Sequence, residues 1–100
     1  MPSKDYRIWL SDRAYIVVDL TMFKGQVVSF VVRLMTIQGG REYNVARYDT
    51  AHGAPHRDLL DPQGALKEKK WVLGLDLDAA LNYAVEDFKN NYEHYLKDWE

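Results

Sequence analysis

Cysteine is absent from the 100 residues. Its absence excludes disulfide staples, thiolate zinc sites and cysteine nucleophiles, and it fits a reducing cytoplasm. Long apolar runs are missing too. The longest, around residues 26–37, is broken by Ser29 and Arg33 and is too short to span a membrane. The opening Met1-Pro2-Ser3-Lys4-Asp5 has no apolar run behind its charge, so no signal peptide is expected. Repeats, low-complexity tracts and Pro/Ser linkers are lacking, as are a phosphate-cradling glycine loop, a nucleophile elbow and kinase-type motifs.

Excess positive charge is also missing. The net charge is −2, unevenly spread: residues 1–75 carry 11 Lys/Arg against 8 Asp/Glu, and residues 76–100 carry 2 against 7. A protein that coats a duplex is expected to be basic as a whole. Any nucleic-acid contact is therefore expected to be local and away from the acidic C-terminal quarter.

What is present is ample material for one core: 47% hydrophobic residues, 13% aromatic. The length suits a single domain spanning 1–100. A chain this short buries only a little more than ~60% of its unfolded surface, so a homodimer interface would stabilise it.

Strand patterns fill the first three quarters. Tyr6, Ile8 and Leu10 alternate with Arg7 and Trp9, and Ser11-Asp12 supply a turn. Ala14, Ile16, Val18, Leu20 and Met22 form one apolar face. A three-residue loop, Phe23-Lys24-Gly25, would pair Leu20 with Val28, Val18 with Phe30, Ile16 with Val32 and Ala14 with Leu34. Gly39-Gly40 reads as a two-residue turn into a third strand over 42–50. That turn sets Arg47 opposite Val32 and Asp49 opposite Phe30, on the apolar side, whereas a one-residue slip would put both in water. Asp61-Pro62-Gln63-Gly64 reads as a type I turn that would bring Asp58 to Lys67 and Arg57 to Glu68.

A helix is expected from Asp76 or Asp78. Leu81, Val85, Phe88, Tyr92, Tyr95 and Trp99 form its core stripe, and Glu86, Asp87, Lys89, Glu93, Lys97 and Asp98 lie outside. The fold class that follows is α+β: two layers, a mostly antiparallel sheet of four to six strands, and one long C-terminal helix on one face. The second sheet face, with Val17, Val27, Val31, Met35 and Ile37, is less polar than a solvated face. It invites either a partner, including a second copy, or a covering N-terminal segment bearing Trp9.

Chemistry concentrates in residues 47–58, which hold two histidines, two arginines and two aspartates. Three readings stand. His52 and His56 act as general acid and base, with Arg47 and Arg57 stabilising an anionic transition state and Asp49 orienting one of them. That set suits RNA cleavage without metal or other cofactor. Alternatively His52, His56, Asp49 and Asp58 ligate a metal. In the third reading these are ordinary loop residues making turns, caps and edge ion pairs. Lys67, Lys69 and Lys70 beside Trp71 read as edge protection or a phosphate contact, and His94 as solvated.

The strand ending Arg47-Tyr48-Asp49, His52-Gly53, His56-Arg57-Asp58, the turn Asp61-Pro62-Gln63-Gly64 and Val85-Glu86-Asp87-Phe88, in this order, resemble the TumE-type toxins of prokaryotic toxin–antitoxin modules. The resemblance spans roughly residues 26–100. It implies a cytoplasmic bacterial or archaeal protein, a helix-turn-helix antitoxin as partner, and action on RNA or translation. It supplies no settled catalytic assignment.

Overall fold

The alternation of apolar and polar residues is realised as six strands, and the 3.6-residue pattern as one helix. The computed structural model describes residues 2–51 and 53–99. Its elements are β1 (Ser3–Ser11), β2 (Ala14–Phe23), β3 (Gln26–Gln38), β4 (Arg41–Asp49), β5 (His56–Leu60), β6 (Leu66–Trp71) and α1 (Leu77–Tyr95), the last running into a 3₁₀ turn, Leu96–Trp99. The strands form one antiparallel meander in the order β1-β2-β3-β4-β5-β6. The fold is therefore α+β, with α1 lying on one face of the sheet. Among the described residues no helix is long and apolar enough to cross a membrane.

The core lies between that face and α1. Ile16, Val18, Val32, Leu34 and Tyr48 from the sheet meet Ala80, Ala84 and Phe88 from the helix. Asp76 is the N-cap, its carboxylate accepting from the Ala79 N–H at 2.8 Å, so the helix starts where the first of the two expected caps stands. The apolar stripe packs as its spacing predicts. Asp87 does not follow its expected outward placement: it turns to the sheet and accepts from Tyr48 and Tyr95.

Bulges correct three of the expected registers. Between β2 and β3 the loop is two residues, Lys24 and Gly25, both at positive φ (51° and 77°), as a type I′ turn requires. A bulge at Val28 then moves the pairing by two, to Leu20–Phe30, Val18–Val32, Ile16–Leu34 and Ala14–Thr36. A shift of two keeps the residues beyond the bulge on their expected faces. Before the bulge the faces swap, so Val27 joins the core and Val28 is exposed.

Between β3 and β4 the Gly39-Gly40 turn forms as expected. Val45 is then an extra residue, and beyond it Arg47 faces Arg33 and Asp49 faces Val31, not Val32 and Phe30. This one-residue slip turns Arg47 and Asp49 to the face away from the helix and Tyr48 into the core. They do not end in water, because β5 packs beside them and Asp49 is buried. Between β5 and β6 the pairs are Asp58–Lys69 and Arg57–Lys70. The expected Arg57–Glu68 ion pair forms on the diagonal, and Lys67 reaches Asp98 instead of Asp58.

The N-terminal segment does not fold over the second face. It is the edge strand β1, and Trp9 stands on that face with its ring tilted against Tyr15, ring centroids 4.7 Å apart.

Candidate functional site

Because neighbouring strands are in register on the face opposite α1, two rows of side chains run across all six strands. One is Asp5–Asp19–Val31–Asp49–His56–Trp71. Two residues along, the other is Arg7–Val17–Arg33–Arg47–Asp58–Lys69. At ~4.8 Å between strands each row is about 24 Å long. One row is rich in carboxylates and the other in cations, and they pair along the strands: Arg33 Nη1 donates to Asp19 Oδ2 at 2.9 Å.

The rows are densest where β4 meets β5. Arg47 Nη2 donates to Asp58 Oδ2 at 2.8 Å. Its Nε lies 3.1 Å from Asp49 Oδ2, close enough for an ion pair but off the line of a hydrogen bond. His56 Nε2 sits 3.2 Å from Asp49 Oδ1 and 3.7 Å from Asp58 Oδ2. The same Asp49 oxygen accepts from the Ala51 N–H at 2.9 Å, which ties the loop after β4 to the cluster. Trp71 covers the imidazole at a ring separation of 5.1 Å, leaving His56 only 2% exposed. Lys69 Nζ lies 3.9 Å from Asp58 Oδ1.

Asp49, His56 and Asp58 each present a ligand atom, all within 4.8 Å of one another, a set able to hold a metal ion. Arg47 already stands between the two carboxylates as their cation. A divalent ion would have to displace it or add two charges to a cluster it has neutralised.

A cleft of about 510 Å³ opens on this face beside the cluster, between the Ser3–Asp5 end of β1 and the end of β4 at Arg47 and Asp49 with Thr50 and Ala51 after it, and Arg33 is among its lining residues. Arg33 and Arg47 are direct cross-strand partners there. Like charges in that position are destabilising unless something anionic lies between them or beside each. Here Asp19 serves one and Asp49 with Asp58 the other.

Of the residues singled out from the sequence, Arg47, Asp49 and His56 converge. Arg57 does not: it lies on the helix face, donating to the Tyr95 hydroxyl at 2.9 Å and pairing with Glu68. His52 lies outside the described residues, and Ala51 before it lines the cleft. His94 is exposed. Sequence reasoning passed over Arg33, Trp71 and the role of Asp58 as the anion facing Arg47. No signal short of the β3–β4 register could have joined Arg33 to Arg47, since they are 14 residues apart and a bulge intervenes.

The chain can also be compared with known families. The domain of unknown function DUF7718 matches residues 1–100. The chain belongs to this family. No curated protein and no solved structure matches it. For this DUF7718 chain the site is therefore read from its own geometry.

A second polar network lies between sheet and helix. Asp87 Oδ2 accepts from the Tyr48 hydroxyl at 2.7 Å and from the Tyr95 hydroxyl at 2.5 Å. Burial, reinforced by the bond to Asp87, holds the Tyr48 phenol well above its ordinary value and pushes Tyr95 up to about 12. Both tyrosines thus keep their protons in the folded protein after an unfolded chain would lose them. Their contribution to stability is fully present below about pH 10; that of Tyr95 is lost as pH climbs from there towards 12, and that of Tyr48 goes on falling above it. Chemical denaturation at stepped pH is expected to show this decline, and Tyr95→Phe should flatten it. An unchanged midpoint between pH 9 and 11.5 would contradict the network.

Proposed function

We propose that this DUF7718 protein acts on RNA in a prokaryotic cytoplasm, as the resemblance to TumE-type toxins implies, and that it takes phosphates of the strand on the open sheet face. The observation that carries this reading is the Arg33–Arg47 pair at the cleft. Each guanidinium spends part of its donor set on carboxylates, and a phosphate between them would accept from the rest. Asp49 and Asp58 aim Arg47, and His56, its Nε2 3.2 Å from Asp49 Oδ1, is a positioning residue. General acid–base work falls to His52. Arg57 plays no part in this site. A helix-turn-helix antitoxin is the partner expected in that setting.

The test uses purified protein and labelled single-stranded RNA in EDTA. Arg33→Gln and Arg47→Gln are each expected to weaken binding and to lower the salt slope by about 0.7. His52→Ala should keep binding and lose cleavage, and should relieve growth arrest on induction in a bacterial host. Wild-type protein that neither binds RNA nor slows growth would end the proposal.

A second reading is favoured by the burial of His56 beneath Trp71, which removes one of the two histidines from contact with any substrate. It makes the face a non-catalytic binding module for a protein partner or a second copy. RNA binding with no cleavage, indifferent to His52→Ala, would decide for a binding module with RNA as its ligand.

A further inference from the structure

The sheet has two free edges, and they differ in kind. β6 carries Lys67, Lys69 and Lys70 among its six residues, the usual protection against edge-to-edge pairing. β1 is nine residues long, its exposed stretch Ser3 to Arg7 carrying charges of both signs, Lys4, Asp5 and Arg7, where β6 is mainly basic.

The free hydrogen-bonding groups of β1 follow from its register. Met22 N–H donates to the Pro2 carbonyl at 2.9 Å, and extending the Ser3–Thr21 register by one residue sets these two opposite each other. In an antiparallel ladder hydrogen-bonded and non-bonded pairs alternate. Lys4, Tyr6 and Ile8 therefore bond to β2, while Ser3, Asp5, Arg7 and Trp9 turn their N–H and C=O groups outwards. Asp5 and Arg7 are thus two residues of opposite charge, adjacent in the outward set and on one face of the sheet.

We infer that β1 is a self-complementary edge that pairs antiparallel with β1 of a second copy of this chain, centred on Tyr6. In this register Asp5 of each copy lies opposite Arg7 of the other, and Ser3 opposite Trp9. All four are outward-bonding residues, so every one gains both of its backbone hydrogen bonds. Tyr6, 45% exposed in the single chain, meets its own copy at the closely spaced central position. The two rows of the sheet face continue through the junction: the cationic row of one copy runs into the carboxylate row of the other. Centring one residue either way sets Asp5 on Asp5 or Arg7 on Arg7, like charge against like. The pairing is isologous, so it closes at two copies, and the outer β6 edges stop further growth.

The experiment is sedimentation velocity over a concentration series, with circular dichroism of each variant as the fold control. Wild type is expected to dimerise. Arg7→Asp alone and Asp5→Arg alone each turn two attractive cross-strand pairs into two repulsive ones, and each should weaken the dimer by about tenfold or more. The double variant Asp5→Arg/Arg7→Asp restores the pairing and should recover the wild-type dimer. A wild type that stays monomeric throughout overturns the inference. So do folded single variants that dimerise normally, or a double variant no better than the singles. None of these outcomes depends on RNA, so failure here leaves the proposed function standing and the reverse also holds.

Discussion

An Asp58→Ala variant is expected to unfold at a temperature about 10–20 °C lower than wild type, the equivalent of about 2–3 kcal/mol. Asp58 is 4% exposed and stands in the cationic row between Arg47 and Lys69, with Arg33 beyond. Removing it leaves Arg33, Arg47 and Lys69 along one line, and Arg47 keeps only the off-line pair with Asp49. Breaking a fully buried pair costs about 3–5 kcal/mol. The Arg47 side chain is 35% exposed, and water's screening of its charge places the effect at the low end. Much of the loss should return in high salt, where the Debye length shrinks to a few ångströms. Calorimetry at two ionic strengths checks both statements. A loss below about 0.5 kcal/mol would mean that Arg47 does not depend on the cluster for its place.

The largest effect on stability is expected from Phe88→Ala, about 3–5 kcal/mol. Phe88 is fully buried at the centre of the helix stripe. Its ring packs against Tyr48 at 5.1 Å and Tyr95 at 5.4 Å, the same two tyrosines that donate to Asp87. The cavity would therefore loosen both the apolar contact and the polar network that dock the helix on the sheet. With total stabilities of about 5–15 kcal/mol for domains of this kind, the variant should sit near its unfolding threshold at 37 °C. Denaturant titration checks this, and Phe88→Leu should recover more than half of the loss.

These two residues differ in how much could be read ahead of the structure. Phe88 is placed by spacing alone: the residues four before and seven after it are also apolar, and a helix of that pattern has one face to bury. Asp58 was legible as part of a polar stretch, with an ion pair to Lys67 expected from the Asp61-Pro62 turn. Its actual neighbours, Arg47, His56 and Lys69, depend on three strands and their bulges. His56 is similar. Its residue type points to accessible chemistry, yet Trp71, its partner across β5 and β6, buries it.

The sequence by itself determined the elements: the β2–β3 and β3–β4 hairpins, the turn at Asp61, the capped helix and the two-layer class. Each of these depends on period, turn residue and cap, all of which act over a few neighbouring positions. Only the tertiary structure decided which face Arg47 and Asp49 occupy. Inserting Val45 as one extra residue costs a ladder position, and that cost is offset only when Val45, Ala46 and Tyr48 find room in the buried layer. The line of charge across the open face follows from that single bulge, because a side-chain period of two turns a slip of one residue into a change of side.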